Sequence, residues 1–291
     1  MASPSSTQPR PIVLVTGASG YIASQLLPSL RQRYELRLVD VKEEDREGRR
    51  VDGVVLHDLR DPDLEQHRSL FQGVHAVVHL AFNRSASSDS ATYYDERTNL
   101  DLAYHVYQLA LEEGVQRVVV ASSNHAADWY EPLIHAREKD VVLPEERPLA
   151  VGFYGWAKAT YEHLGFLYAQ GAYGRKLEVV QIRIGAPREL SESDHEGRPA
   201  VLKRNLGAYI SPRDLAQLFN KSLQADHIED KHGIPFQVFY GISHNTRSFW
   251  SIANAREVIG YAPEDDSEQK YGDLIARILA RSPGKVGHRA E

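Results

Sequence analysis

Ile12-Val13-Leu14-Val15-Thr16-Gly17-Ala18-Ser19-Gly20-Tyr21-Ile22-Ala23 is the stretch that decides how this 291-residue chain folds. Its apolar start predicts a buried strand, which leads directly into a glycine turn and a helix. The first glycine allows a sharp turn, the second lets a ligand approach the backbone, and the small Ala23 lets the helix pack on the strand. Because the open N–H groups of a helix N-terminus attract phosphate, the turn predicts a dinucleotide site. We expect the pyrophosphate to contact Gly17, Ser19, Gly20, Tyr21 and Ile22.

Short apolar runs alternate with helical patterns as far as Ile184. The runs are almost uninterrupted in hydrophobicity, which is typical of parallel strands covered on both faces. We predict strands at Ile12–Thr16, Glu35–Asp40, Gly53–Leu56, Ala76–Leu80, Arg117–Ser122 and Leu177–Ile184. We predict helices near Tyr21–Arg33, Leu64–Gln72, Thr92–Glu113 and Gly152–Gly171. This alternation predicts an α/β protein with a Rossmann doubly wound parallel sheet.

After Ile184 the alternation of strands and helices breaks down, and a separate C-terminal portion is expected. Residues 1–10 are polar and are expected to form a disordered lead, 11–185 the NAD-binding domain, 186–281 the substrate-binding portion, and 282–291 a tail. Residues 186–206 carry prolines and many charges and are predicted as loop. A helix is expected to begin at Ser211-Pro212, a late strand at 236–240 to return to the sheet, and two further helical stretches to follow.

The composition excludes several classes of function. The net charge is −6 without a long basic block, which disfavours nucleic acid as a partner. The chain has no cysteine, so disulfides and thiolate catalysis are excluded. His75 and His79 lie roughly 13 Å apart on a predicted strand, too far to share an ion, and no metal site is predicted. Without a secretory signal or an apolar run of about 18 residues, we expect a cytoplasmic protein with no membrane partner.

A carboxylate ends the second predicted strand at Asp40, the position that contacts the adenosine ribose in this fold. It can accept hydrogen bonds from the ribose hydroxyls and repel a 2′-phosphate, which favours NAD over NADP. The cations that follow, Lys42 and Arg46 among them, can hold a phosphate and keep NADP as the alternative. The ends of the next strands are expected to flank the cofactor through Asp58, Leu59, Leu80 and Ala81.

Tyr154 and Lys158 share one face of a predicted helix because they are spaced i, i+4. An ordinary tyrosine has a pKa near ~10, but a neighbouring ammonium favours the phenolate. Tyr154 can then take the proton of a substrate hydroxyl while hydride leaves the same carbon. We expect Lys158 also to bind the nicotinamide ribose, and Ser123 to hold the substrate oxygen. These three residues are the predicted catalytic group.

Together these motifs resemble the extended short-chain dehydrogenase/reductase family, which includes NAD-dependent epimerases and dehydratases. The resemblance covers nearly the whole chain from residue 11 and rests on Thr16–Ala23, Asp40, Asp58-Leu59, His79-Leu80-Ala81, Asn99, Ser122-Ser123, Tyr154-x-x-x-Lys158 and Arg183-Ile184-Gly185. It implies a Rossmann domain that binds NAD, with Tyr154, Lys158 and Ile184 beside the cofactor, and a small C-terminal substrate lobe. It further implies that Asn99 is a cofactor-binding residue and supports the backbone of the active site.

A narrower similarity is to the uronate dehydrogenases, in which NAD oxidises the C1 hydroxyl of a cyclic hexuronic acid to a lactone. It rests on Ser122–His125, Arg204–Asp214 and Tyr240–Asn245. It implies that Asn124 and His125 contact the sugar and that Arg204 pairs with its carboxylate, whose shape matches a guanidinium fork.

The chain departs from the uronate dehydrogenase pattern around the expected sugar pocket. Ala186 stands where the family tends to have a serine, and the bulkier Ala81–Arg84 replaces a small glycine-rich turn. The stretch between Ser123 and Tyr154 is also longer. Arg84 is therefore an alternative partner for a substrate anion. The reaction type is better defined than the substrate.

These observations favour an NAD-dependent oxidoreductase that acts on a CH–OH group of a sugar or sugar acid, with Tyr154 as the base. The alternative is a nucleotide-sugar epimerase or dehydratase that keeps its NAD tightly bound through the turnover. A non-catalytic NAD-binding scaffold is disfavoured because both Tyr154 and Lys158 are present. The particular sugar stays open, and so does the oligomeric state, a homo-oligomer included.

Overall fold

A computed structural model describes residues 9–83 and 92–281 of the chain. Its strands are β1 Ile12–Thr16, β2 Glu35–Asp40, β3 Val54–Leu56, β4 Ala76–His79, β5 Arg117–Ser123, β6 Glu178–Ile184 and β7 Phe236–Gly241. They form one parallel sheet in the order β3-β2-β1-β4-β5-β6-β7. The predicted Rossmann sheet is confirmed, and β7 returns to pair with β6 as expected.

Helices connect the strands, and three more helices come after the last strand in the chain. They are α1 Tyr21–Arg33, α2 Leu64–Arg68, α3 Tyr93–Glu112, α4 Glu131–His135, α5 Phe153–Ala169, α6 Glu192–His195, α7 Pro199–Ala208, α8 Pro212–Gln224, α9 Ala253–Ile259, α10 Ser267–Lys270 and α11 Gly272–Arg281. A 3₁₀ helix spans Asn124–Tyr130, directly after β5. Ser211 caps α8 by accepting a hydrogen bond from the Asp214 N–H, as its sequence position indicates. Within the described ranges, none of the helices combines the length and apolarity needed to cross a bilayer.

The centre of the sheet is buried on both faces, which explains why strands such as β1 and β4 are apolar along almost their whole length. In β1, Val13 and Val15 point to the face covered by α1 and α8, whereas Leu14 points to the face covered by α3 and α5. Successive strand residues alternate between faces, so a strand covered on both sides needs apolar residues throughout. The helices cover the faces of the sheet but not its carboxyl edge. The C-terminal ends of the strands meet at this edge, which is therefore available to form a site.

The prediction of a loop at 186–206 is wrong, because α6 and most of α7 lie there. The many charged residues of this stretch make its narrow apolar face difficult to recognise in the sequence. On this face, Leu202 and Leu206 pack against Leu274 and Ile278 of α11. Pro199 is at the first turn of α7, where a missing N–H costs nothing. The prediction of two helical stretches after β7 is confirmed: α9 is the first, and α10 and α11, which only Tyr271 separates, form the second.

Candidate active site

A cavity of about 990 Å³ runs along the carboxyl edge of the sheet. The predicted site residues that line it are Gly17, Ser19, Gly20, Tyr21, Ile22, Asp40, Asp58, Leu59, Leu80, Ala81, Ser123, His125, Tyr154, Lys158, Ile184 and Arg204. Asn99 and Asn124 do not line it. Arg84 lies outside the described residues. We call the part around Gly17–Ile22, Asp40 and Asp58 the cofactor end, and the part around Ser123, His125, Tyr154 and Arg204 the substrate end.

The glycine turn at the cofactor end has the backbone geometry that a phosphate site needs. Gly17 has a φ of +72°, and a Cβ on it would lie 2.6 Å from the Ala81 nitrogen, so only glycine fits between β1 and the end of β4. Gly20 is the N-cap of α1 and contributes no side-chain cap. The first N–H groups of α1 are thereby left to bind an anion, and the residues present fit a dinucleotide pyrophosphate.

Asp40 is fixed at the end of β2 by two backbone donors. Its carboxylate accepts hydrogen bonds from the N–H groups of Ser19, at 2.9 Å, and Val41, at 2.7 Å. Lys42 and Arg46 line the cavity beside it, and the Arg46 guanidinium lies 4.9 Å from the centre of the Tyr21 ring. The carboxylate therefore faces the cavity in a fixed orientation, with cations near it. Its selection of NAD over NADP stays a prediction.

The neighbouring strand end contributes Asp58 and a histidine that the sequence analysis missed. Arg60 donates hydrogen bonds to Asp58, the shortest at 2.6 Å, and these lower the pKa of the Asp58 carboxyl. His57 also lines the cavity, and its Nε2 lies 2.6 Å from Nδ1 of the buried His67. Nothing in the local sequence distinguishes His57 from a surface histidine, because its partner comes from α2.

Tyr154 and Lys158 lie in the first turns of α5, and both face the cavity. The buried Lys158 ammonium donates a hydrogen bond to the Ala121 carbonyl at 2.9 Å and lies 6.0 Å from the centre of the Tyr154 ring. Phe82 packs against both, with its ring centre 4.7 Å from Lys158 Nζ and 5.4 Å from the Tyr154 ring centre. The structure thus places a cation beside the phenol, under an aromatic cover that the sequence analysis did not assign.

Ser123 lies at the end of β5 in a position to donate its hydroxyl hydrogen. Its Oγ accepts a hydrogen bond from the His125 N–H at 3.2 Å and caps the 3₁₀ helix. The preceding Ser122 instead donates its hydroxyl to Glu162 at 2.9 Å. The two serines therefore have different tasks, and the choice of Ser123 as the substrate contact stays a prediction.

Gly155 allows α5 to pack closely against the 3₁₀ helix. A Cβ at this position would overlap the His125 carbonyl oxygen, so no other residue fits without moving one of the two backbones. Tyr154 and His125 are consequently close, with ring centres 5.8 Å apart. The sequence analysis missed this role, although a glycine directly after the tyrosine in a helix, where glycine is unfavourable, is a visible signal.

A buried ion pair supports the wall behind Tyr154 and Lys158. Arg183 of β6 donates two hydrogen bonds to Glu162 of α5, at 2.8 and 2.7 Å. Glu162 is one helical turn beyond Lys158 and also accepts from Ser122. The pair therefore fixes α5 against β5 and β6. In the sequence, Glu162 continues the i, i+4 spacing of Tyr154 and Lys158, and this spacing is the signal that indicates it.

Asn99 supports the cavity wall from behind, in the manner that the family resemblance implies. Its side chain accepts from the Asn83 N–H at 2.7 Å and donates to the Asn83 carbonyl at 3.2 Å. Glu96, one turn earlier on α3, lines the cavity, and burial raises the pKa of its carboxyl. Direct contact of Asn99 with the cofactor stays a prediction.

The predicted sugar contacts differ in their access to the cavity. His125 is at the wall, and its Nδ1 lies 2.9 Å from the Asp128 carboxylate. Asn124 is buried, and neither polar atom of its side chain has a hydrogen-bond partner in the described part of the chain. Both roles stay predictions.

Arg204 lines the substrate end but is already bound by a carboxylate of the chain. Its Nε and Nη2 donate to the two oxygens of Glu131, at 3.0 and 2.9 Å. Asn205 and His195, which also line this end, come from the stretch predicted as loop. Pairing of Arg204 with a substrate carboxylate stays a prediction.

A parallel sheet of this order, with a glycine turn after its first strand and a Tyr–Lys pair on the same cavity, defines a dinucleotide-dependent oxidoreductase. The model of the NAD dependent epimerase/dehydratase family matches residues 13–185, and the chain belongs to that family. This membership confirms NAD as the cofactor and the resemblance stated from the sequence.

Three relatives are similar along most of their length. The NAD-dependent glucose-6-phosphate dehydrogenase of Haloferax volcanii is 31% identical over 88% of this chain and 94% of its own. The L-arabinose 1-dehydrogenase (NAD(P)(+)) of the same organism is 30% identical over 88% and 97%. A uronate dehydrogenase of Pseudomonas syringae pv. tomato is 30% identical over 92% and 87%.

A solved structure confirms the fold. The uronate dehydrogenase from Agrobacterium tumefaciens superposes with a TM-score of 0.70 at 23% identity, over 97% of this chain and 93% of that one. The relatives share the dehydrogenase reaction and differ in the sugar that they are named for.

Proposed function

We propose that this protein oxidises the C1 hydroxyl of a sugar to the lactone, with NAD as the hydride acceptor and Tyr154 as the base. The observation that carries the proposal is the presence of Tyr154, Lys158 and Ser123 on the cavity that begins at the glycine turn. The names of the three relatives support a sugar as the substrate, and one of these names specifies position 1.

The cofactor end supplies the contacts that hold NAD. The turn from Gly17 to Ile22 binds the pyrophosphate, and Asp40 accepts hydrogen bonds from the adenosine ribose. When bound, NAD supplies a nicotinamide ring that accepts the hydride. The remaining contacts come from Asp58, Leu59, Leu80, Ala81 and Ile184.

Tyr154 Oη takes the proton of the C1 hydroxyl. The Lys158 ammonium, which lies 6.0 Å from the centre of the Tyr154 ring, favours the phenolate form. The Ala121 carbonyl holds that ammonium in place. Lys158 would also hold the nicotinamide ribose of a bound NAD by donating a hydrogen bond to it.

Ser123 orients the sugar for this transfer. Its Oγ is held by the His125 N–H, so its own hydrogen can be donated to the C1 oxygen. His125 and Phe82 form the adjoining wall, and the aromatic rings around Tyr154 limit the access of water to the phenolate. Asn99 keeps this wall in place through the backbone of Asn83.

The test is the Tyr154→Phe variant, which removes only the proton-accepting oxygen. We expect kcat to fall about 10³-fold, because positioned acid–base groups contribute at that scale. Affinity for NAD, measured by equilibrium titration, should stay within about twofold. Tyr94→Phe is the matched control, since Tyr94 is exposed, and it should retain full activity. Full activity in Tyr154→Phe would overturn the proposed role.

A further inference from the structure

Glu131 and Arg204 form a closed ion pair behind the substrate end. Arg204 lies on α7 and lines the cavity, whereas Glu131 begins α4 and does not line it. The two side chains are only 19% and 14% exposed. Two hydrogen bonds join them, at 3.0 and 2.9 Å, in the bidentate arrangement that makes arginine–carboxylate pairs strong.

The rest of the Arg204 guanidinium is also in contact with the chain. Its Nη1 donates to the Asn205 side-chain oxygen at 3.4 Å, and its centre lies 5.8 Å from the Trp250 ring. Trp250 is itself buried. The ion pair is therefore held in one place, so Arg204 cannot leave Glu131 without losing several contacts.

This arrangement changes what Arg204 offers to a ligand. The charge of the pair is zero, so a substrate carboxylate that approaches the guanidinium also meets the negative charge of Glu131. A sugar hydroxyl meets no such repulsion, because it is neutral and needs only an N–H donor. The wall at Arg204 is thus better matched to a hydroxyl than to an anion.

We propose that Glu131 is a specificity-determining residue, which neutralises Arg204 and makes the substrate end select a neutral sugar over a sugar acid. This inference rests on the proposed oxidation of a sugar. Glu131 lies in the stretch between Ser123 and Tyr154, which is longer than the uronate dehydrogenase pattern. The charge that sets the substrate class therefore lies in a stretch that differs from that pattern.

Glu131→Gln tests the inference, because glutamine keeps the size and one acceptor but removes the charge. Specificity constants are measured for two matched pairs, galacturonate with galactose and glucuronate with glucose. Wild type should prefer the neutral member of each pair. We expect Glu131→Gln to raise the uronate-to-aldose ratio about tenfold, the scale of one charge-assisted hydrogen bond. Thermal unfolding checks that the variant is folded.

The matched control is Glu146→Gln, which removes a charge and an ion pair with Lys139 from the same segment, away from the cavity. It should leave the ratio unchanged.

The double variant Glu131→Gln/Arg204→Met removes both charges and should return the ratio to the wild-type value. A wild-type preference for uronates, an unchanged ratio in Glu131→Gln, or a ratio in the double variant that stays raised or falls below the wild-type value overturns the inference. A wild type that oxidises none of these four sugars, and neither L-arabinose nor glucose 6-phosphate, overturns the proposed function instead, and the two failures are therefore distinguishable.

Discussion

The two ends of the cavity are built in different ways. The cofactor end comes from one segment of the chain, in which Gly17, Asp40 and Ala81 lie at the ends of β1, β2 and β4. The substrate end joins distant segments, and its ion pair links residues 73 positions apart, Glu131 and Arg204. The first depends on short motifs on neighbouring strands, while the second depends on how α4 and α7 pack.

This difference predicts a division of tasks. The cofactor end fixes the reaction type, because NAD needs the same turn and carboxylate whatever the substrate is. We expect the substrate end to determine the choice of sugar, because His125 and Arg204 line it. The two ends of the cavity meet at Tyr154, Lys158 and Ser123. Substitutions at either end should therefore affect the reaction at these residues, but to different extents.

Gly155→Ala should damage the substrate end and leave the cofactor end intact. The added methyl group overlaps the His125 carbonyl, so α5 or the 3₁₀ helix must move, and Tyr154 moves with it. We expect kcat to fall about 100-fold, since misplacement by an ångström can cost that much. Affinity for NAD should change by less than about threefold. Gly152→Ala is the matched control, because no atom lies within 4 Å of its added Cβ. Full activity in Gly155→Ala would contradict the close packing.

Asp40→Ala should do the reverse, by damaging the cofactor end alone. Removal of the carboxylate leaves Lys42 and Arg46 near the adenosine ribose, where they can hold a 2′-phosphate. We expect the NAD-to-NADP ratio of specificity constants to fall about tenfold, because like-charge repulsion is lost. The KM for the sugar should be unchanged. Asp40→Asn separates charge from structure, since it can still accept from the Ser19 N–H. An unchanged cofactor ratio in both variants would show that Asp40 is not selective.

The last prediction concerns His79 and the stability of the fold. Burial and then the Lys158 charge lower the pKa of His79 to about 3, and its Nδ1 lies 2.7 Å from Thr16 Oγ1. This histidine binds a proton below about pH 6.5 in the unfolded chain, but only below about pH 3 in the folded chain. The stability that neutral His79 contributes is therefore lost as the pH falls from about 6.5 to about 3. Urea unfolding between about pH 3 and pH 6.5 measures this effect, and the free energy of unfolding should depend less on pH in His79→Asn than in wild type. The exposed His232→Asn should match wild type, and an equal slope in His79→Asn would contradict the assignment.

The parts of the site that could be predicted from sequence are those with fixed spacing. The turn at Gly17 follows a strand directly, and Tyr154 and Lys158 are one helical turn apart, so local geometry determines where they point. Asp40 was predictable because strand ends in a parallel sheet share one edge. All of these residues line the cavity.

The remaining parts depend on contacts between distant segments. Glu131 is one of several charges in its segment, and only the packing of α4 near α7 gives it Arg204 as a partner. The same applies to α7, whose Leu202 and Leu206 form a core only when α11 covers them. The hydrophobic pattern of a sequence predicts burial poorly where a helix has a small apolar face and the element that covers this face is far along the chain.

The central claim is that hydride leaves C1 of a sugar for NAD while Tyr154 takes the hydroxyl proton. The most direct measurement supplies wild-type protein and NAD with aldoses that carry deuterium at C1, and follows the label in the reduced cofactor. We predict net formation of NADH that carries one deuterium for each sugar oxidised. Unlabelled NADH, or cofactor that stays bound without net reduction while the sugar is epimerised, would contradict the account.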